Sequence, residues 1–235
     1  YIAVYTFPLM AQINLGWTAT ISGLALMPGA LMSTAGLIFS QKAIDRGVDP
    51  KVLIASGFIC TFIFGTWMSF QSESSSFTGL FIPLIFRGLG IGLFMLPVIM
   101  MSIQGLSGAD LGQGAGLGNM AKQLGGAVGL ALIGTYISDT QALYQSQLSS
   151  DINIYSNNAV TTIQNISYGL QNLGINSNTA HSLCNSLLGM NVIKQSELLS
   201  YLASFRMLAA ISLVSLLFVL FLKKKATSSS KHDQH

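Results

Sequence analysis

Apolar runs separated by short polar breaks cover most of the first 138 residues of the chain. The length and spacing of these runs predict five membrane helices, at about 1–13, 19–41, 52–70, 79–103 and 114–138. At 1.5 Å per residue the first run covers roughly 20 Å, which is less than the ~30 Å hydrocarbon core of a bilayer. We therefore expect it to be the end of a longer helix. Pro28 is expected to kink the second helix.

The pattern changes after residue 138, where the chain becomes rich in Asn, Ser and Gln. We predict a long polar loop outside the membrane over 139–200. Helical periodicity within it, at 160–173 and 183–190, indicates either short amphipathic helices or parts of a solvated loop. A sixth apolar run predicts the last membrane helix at 201–222, and 223–235 is expected to be a cytoplasmic tail.

Small residues recur at helical spacing on the second and fifth predicted helices. In lipid, such stripes let two helix backbones approach closely, and this packing drives helix association. The residues predicted to pack in this way are Gly29, Gly36, Gly114, Gly118, Gly125 and Gly129. Lys122 lies on the stripe of the fifth helix, and two amides, Asn119 and Gln123, flank it.

Composition places the chain among integral membrane proteins. Of its 235 residues, 51% are hydrophobic and 8% are charged, against about 25% charged in ordinary soluble domains. Lys42, Arg46 and Lys51 share one turn and a lysine cluster begins the tail, so the positive-inside rule predicts a cytoplasmic C-terminus. The net charge of +3 does not indicate nucleic-acid binding. The two cysteines predict neither a disulfide nor a metal site, and no cofactor is expected.

Two cations are predicted near the middle of membrane helices, Arg87 in the fourth and Lys122 in the fifth. A charge at the centre of a span costs about 2.5 to 3.5 kcal/mol on insertion scales, so such residues normally face a bundle interior or an aqueous cavity. Arg87 could serve transport, or it could hold helices together by hydrogen-bonding carbonyl groups. All eight acidic residues are predicted in loops or tails, which leaves these helices without an obvious proton carrier.

Three segments carry a resemblance to a known family. The turn DRGVDPK at 45–51 resembles the cytoplasmic signature of the major facilitator superfamily, and RGLGIGLFMLP at 87–97 resembles its Arg-bearing helix. The run GLGNMAKQLGGAVGLALIGT at 116–135 is similar to that of the EmrB/QacA-like fourteen-helix drug:proton antiporters, and it is the specific match. Gln41 stands where the family usually has Gly, and Lys122 where it usually has Arg.

The resemblance covers the family's C-terminal half and implies an all-α bundle of six transmembrane helices, the first one truncated. It implies a proton-coupled exporter of amphipathic, often cationic, compounds that works by alternating access. The first and fourth helices would line the cavity, the second and fifth would face the other bundle, and the third and sixth would face lipid. The implied cavity residues are Tyr5, Gln12, Arg87, Met95, Asn119 and Gln123, and the implied intracellular gate is Asp45, Arg46 and Lys51.

The implied partners are the lipid bilayer, the N-terminal half of the same transporter, a small-molecule drug and a periplasmic adaptor. Two alternatives stay open: a non-transporting helper subunit or half-transporter, and a major facilitator carrier for a metabolite. The sequence contains no G-x-x-x-x-G-K-[ST] loop, which disfavours an ATP-driven exporter. His181, His232 and His235 all lie outside the predicted helices, which disfavours a membrane enzyme.

Overall fold

A computed structural model of the chain describes residues 1–71, 77–151 and 177–221. These residues form seven helices and no strand. The helices are α1 (Ile2–Ile13), α2 (Ala19–Leu24), α3 (Met27–Asp45), α4 (Pro50–Met68), α5 (Phe77–Ser102), α6 (Ala109–Asp151) and α7 (Ser177–Phe221). The predicted tail at 223–235 and the periodic segment at 160–173 lie outside the described residues.

Four helical segments in these ranges are long and apolar enough to cross a membrane. They are Ala19–Asp45, Pro50–Met68, Gly79–Ser102 and Gly189–Val219. α1 is apolar but has only 12 residues, and α6 is long but carries many glycines and polar side chains. The all-helical membrane class is therefore confirmed, whereas the count of six transmembrane helices is not.

The second predicted helix is interrupted next to its proline. α2 ends at Leu24 and α3 begins at Met27, so Pro28 lies in the first turn of α3. Proline has no backbone N–H and its ring clashes with the carbonyl four residues earlier, so it is tolerated best at the start of a helix. The expected kink is therefore a short break.

α5 lies at the centre of the bundle because its glycines admit helices on two sides. A Cβ at Gly88 would overlap the carbonyl oxygen of Gly29 on α3, and one at Gly36 would lie 3.1 Å from the Cα of Gly92. On the side facing α4, a Cβ at Gly90 would lie 2.9 Å from the carbonyl oxygen of Gly57. The glycine stripe of α3 is thus covered by α5, which corrects the expectation that it faces a partner outside this bundle.

The structure also differs at both ends of the polar loop predicted over 139–200. α6 continues as helix to Asp151, and α7 is already helical from Ser177. The Gln141 side chain on α6 donates a hydrogen bond from Nε2 to Oε1 of Glu197 on α7, at 3.2 Å. These extensions pack against each other, so a polar composition is compatible with helix there. Asp139 and Glu197 consequently lie within helices, which corrects the prediction that they lie in a loop.

The buried core lies at the same end of the bundle as these extensions. It joins side chains from α1, α4, α5 and α7: Phe7, Met10, Phe64, Met68, Leu80, Leu84, Leu198, Tyr201, Leu202 and Phe205. The rings of Phe64 and Phe205 meet edge to face with their centroids 5.8 Å apart. At this end Asn14, just after α1, also donates from Nδ2 to the carbonyl oxygen of Lys194 at 3.0 Å. The core therefore fixes α1 and α7 against the central pair α4 and α5.

Candidate substrate cavity

A cavity of about 610 Å³ lies among α1, α4, α5, α6 and α7. This volume is within the range of about 300 to 1,000 Å³ that is typical of sites for drug-sized ligands. Its wall consists of Tyr1, Ile2, Ala3, Val4, Thr61, Arg87, Ile91, Phe94, Met95, Lys122, Gly125, Gly126, Gly129 and Leu208. The structure thus brings both predicted membrane cations, Arg87 and Lys122, to one cavity.

One face of α5 provides four side chains of the wall. Arg87, Ile91, Phe94 and Met95 follow the i, i+4, i+7 and i+8 spacing of a single helical face. The ring of Phe94 stacks on that of Phe58 from α4, with centroids 5.3 Å apart and an angle of 1° between the rings. This stack holds the aromatic part of the wall in place.

Arg87 is buried, with 9% of its surface exposed. Its Nε and Nη1 atoms have no hydrogen-bond partner among the described residues. A Cβ at Gly29 would lie 3.7 Å from Nη1 and 2.8 Å from the carbonyl oxygen of Leu84, so this glycine admits the turn of α5 that carries the arginine. Because buried polar groups are normally paired, an arginine with two unsatisfied nitrogens is an exception that calls for a ligand or partner.

α6 provides the opposite wall with one cation and several glycines. Lys122, Gly125, Gly126 and Gly129 share one helical face. A Cβ at Gly126 would lie 2.6 Å from the ring of Tyr1, whereas one at Gly125 or Gly129 would have no atom within 4 Å. These last two glycines therefore create open space at the cavity, and no close helix contact is seen at them within the described chain.

The other predicted packing glycines of α6 lie nearer its start. A Cβ at Gly114 would overlap Cδ1 of Leu106, and one at Gly118 would lie 3.8 Å from Oγ of Ser102. The first contact is with the segment that joins α5 to α6, and the second is with the last residue of α5.

Of the six predicted cavity residues, the structure brings Arg87 and Met95 together. Tyr5, Gln12, Asn119 and Gln123 are exposed and do not line the cavity. Several lining residues were not predicted from the sequence: Tyr1, Ile2, Ala3, Val4, Thr61, Ile91, Phe94, Gly125, Gly126, Gly129 and Leu208. The helical spacing from Arg87 could have identified Ile91 and Phe94, whereas Thr61 and Leu208 depend on how α4 and α7 pack.

The predicted gate residues lie together at the turn between α3 and α4. Asp45 is the last residue of α3 and Arg46 its C-cap, and Gly47 adopts a φ of 84° that favours glycine. Asp45 and Arg46 are exposed and Lys51 is half-buried on the first turn of α4. Across the described ranges, no cluster of three or more His, Cys, Asp or Glu could hold a metal ion.

No protein-family model matches the chain. Curated proteins do: the fatty acid resistance protein FarB of Neisseria gonorrhoeae is 28% identical over 73% of this chain and 34% of its own length. The multidrug export protein EmrB of Escherichia coli K12 is 25% identical over 94% of this chain and 42% of its own length. The colistin resistance protein EmrB of Acinetobacter baumannii is 25% identical over 94% of this chain and 43% of its own length.

The chain spans less than half the length of each of these three relatives. A further match, at 23% identity over 84% of this chain, is the MFS-type transporter YhcA of Bacillus subtilis. The relatives that carry a functional name are exporters or resistance proteins, and none of the names describes an enzyme. The chain is therefore a homologue of the EmrB-type multidrug exporters of the major facilitator superfamily, over part of their length.

Proposed function

We propose that the chain forms the C-terminal part of a secondary active multidrug exporter that is proton-coupled and works by alternating access. Similarity to a protein named as a multidrug exporter and to one named as a colistin resistance protein, each over 94% of the chain, supports the transport of drug-like amphipathic compounds. The resemblance of the sequence extends this class to cationic compounds.

The observation that carries the proposal is the cavity that contains Arg87. A buried cation within an apolar helix normally faces an aqueous or ligand-binding space, and Arg87 lines a cavity of drug size. Its wall combines apolar side chains with a few polar groups, as in most small-molecule sites. A major facilitator carrier for a metabolite would need more polar groups in the wall than this cavity has.

The exposed surface of α6 fits an N-terminal half that completes the transporter. Large apolar side chains along α6 have more than half of their surface exposed: Leu117, Met120, Leu124, Val128 and Leu132. Contiguous exposed apolar surface marks an interface or a lipid contact. In the proposed arrangement this surface and the cavity face the N-terminal half, which the longer relatives have room for.

The positive-inside rule orients the proposed transporter. The turn carrying Asp45, Arg46 and Lys51 lies in the cytoplasm with the C-terminus, where these residues act as a gate that exchanges ion pairs between states. The extensions of α6 and α7 then lie on the periplasmic side of a bacterial inner membrane. They are the part of the chain that a periplasmic adaptor could reach.

The test is an accumulation assay with the complete protein encoded by the gene, in a bacterial strain that lacks its own drug exporters. We expect the protein to lower the accumulation of amphipathic dyes, and a protonophore to abolish the effect. Arg87→Gln should abolish it as well, whereas Arg206→Gln, at an exposed position of α7, should not. Efflux that persists without a proton gradient and stops when ATP is depleted would contradict the proposal.

A further inference from the structure

Two helices that form walls of the cavity, α6 and α7, are linked by a hydrogen bond that lies outside it. Gln141 on α6 donates from Nε2 to Oε1 of Glu197 on α7. At 1.5 Å per residue, this link lies roughly 17 Å along each helix from the nearest wall residues, Gly129 on α6 and Leu208 on α7. A change in the link can therefore alter the spacing of the two walls without any contact to a ligand.

Glu197 is the acidic member of this link, and it lies within an apolar span. It belongs to the spanning segment Gly189–Val219. The other acidic residue in the four described spans, Asp45, ends its helix at the turn before α4. The side chain of Glu197 is half-buried, whereas its neighbours Ser196 and Leu198 are buried. Glu197 therefore packs against α6 and is still accessible to protons at this end of the bundle.

The strength of the link depends on whether Glu197 is ionised. A hydrogen bond to an ionised carboxylate is roughly twice as strong as one between two neutral groups. Protonation of Glu197 consequently weakens the link between α6 and α7. By thermodynamic linkage, acid then favours the arrangement in which the two helices have separated.

The groups around Glu197 leave this carboxylate as the one that responds between pH 8 and pH 5. Asp139, the other carboxylate on this part of α6, is exposed. Among the described residues, the ends of α4 and α5 on this side carry no titratable group. Phenols and amines ordinarily titrate near pH 10. The remaining titratable groups on the surrounding turns are three phenols and one amine: Tyr5 on α1, Tyr144 on α6, and Tyr201 and Lys194 on α7.

We propose that the hydrogen bond between Gln141 and Glu197 is a proton-sensitive latch, which holds two walls of the cavity together on the periplasmic side. The latch is closed while Glu197 is ionised. Binding of a proton to the carboxylate weakens the latch and lets α6 move away from α7, which opens the cavity towards the periplasm. The inference rests on the proposed export function and orientation. It gives this bundle a group that responds to the proton gradient, which was not predicted from the sequence.

The test measures a distance across the latch in the complete protein, held in lipid nanodiscs and with its native cysteines replaced by serine. Spin labels are attached at Gln147→Cys on α6 and Asn191→Cys on α7, which are exposed positions. Double electron–electron resonance then reports the separation of the two helices. We expect the population at the longer distance to be about fivefold larger at pH 5 than at pH 8.

Three variants assign this response to the latch. Glu197→Gln keeps the size of the side chain and removes its charge, so the distances should match those at pH 5 and should not depend on pH. Gln141→Leu removes the donor and should also abolish the response, which keeps the test decisive if Glu197→Gln does not fold. Asp139→Asn is the matched control, since it removes an exposed carboxylate of α6, and it should keep the response.

Three results would overturn the inference. The first is a distance that does not change with pH in the labelled protein without these substitutions. The second is a pH response that persists in Glu197→Gln or in Gln141→Leu. The third is loss of the response in Asp139→Asn.

Export is measured separately, by efflux of an amphipathic dye from proteoliposomes under a proton gradient. A pH-dependent distance without efflux would support the latch and contradict the proposed exporter. Efflux with a distance that is independent of pH would support the exporter and overturn the latch.

Discussion

Gly88 illustrates how single residues set the geometry of this bundle. Its α carbon faces the backbone of α3, where a Cβ would overlap the carbonyl oxygen of Gly29. The same turn of α5 carries Arg87, so the approach of α3 and the position of the buried cation are linked. In lipid, helix association depends on such close packing because no hydrophobic force between helices assists it.

We therefore expect Gly88→Ala to destabilise the protein by about 1 to 3 kcal/mol, the usual cost of overpacking a tight contact. Gly23→Ala on α2 is the matched control, since a Cβ there meets no atom within 4 Å. The control should be neutral or stabilising by up to about 1 kcal/mol, because alanine is the better helix former. Thermal unfolding of both variants in detergent tests this, and equal melting temperatures would show that the contact is not tight.

Gly129 has the opposite role. Gly88 allows two helix backbones to come into contact, whereas Gly129 leaves open space at the cavity. Gly129→Leu should place a side chain in the cavity and lower efflux by about tenfold or more, with normal folding. Gly116→Leu on the same helix is the control, since Gly116 is exposed, has open space around it and does not line the cavity. Dye efflux and the amount of folded protein are measured together. Unchanged efflux in Gly129→Leu would show that ligands do not use this part of the cavity.

At the scale of elements, the extensions of α6 and α7 beyond the apolar runs stand out. Their composition predicts a polar loop, yet both extensions are helical where the structure describes them. Tertiary pairing supplies the stability that propensity alone does not, as it does for most helices in proteins. The Gln141–Glu197 hydrogen bond lies within this pairing.

A double-mutant cycle tests that pairing. Gln141→Ala and Glu197→Ala should each lower the stability, and the double variant should lose less than the sum, with a coupling of about 1 kcal/mol. Gln147→Ala, at an exposed position of α6, combined with Glu197→Ala should be additive. The melting temperatures of the four proteins in each cycle provide the measurement, and additive losses for Gln141 and Glu197 would argue against the contact.

At the scale of the whole molecule, the described chain is an open structure. The cavity and the apolar surface of α6 are both at its side, and the relatives are more than twice as long as the part that matches. In the alternating access proposed above, a second bundle rocks against the first. In that proposal the 235 residues supply one of the two bundles.

The 235-residue segment expressed alone is accordingly expected not to transport. Co-expression of the remaining part of the gene product as a separate chain should restore efflux, at least in part, because the two halves can pair in the membrane. Dye accumulation in cells that express the segment, the other part, or both provides the comparison. Efflux from cells that express only the segment would refute this prediction and favour a self-sufficient half-transporter.

The sequence by itself determined the class of the protein and the positions of α1, α4 and α5. Apolar runs indicate segments that lie in lipid, and polar breaks indicate segments that lie in water. The helix around Arg87 and the turn at 45–51 could therefore be located without a structure. The cost of a charge in lipid likewise predicted that Arg87 lies at a cavity or an interior contact.

Only the tertiary structure decided which neighbour each small residue meets. A glycine at helical spacing allows either close contact or open space, and nothing local distinguishes Gly29, which packs on α5, from Gly129, which lines the cavity. The same holds for Gln141 and Glu197, whose helices are stabilised by residues distant in sequence. Helix pairing depends on residues that are distant in sequence, and the cavity that joins Arg87 to Lys122 forms only when those helices pack together.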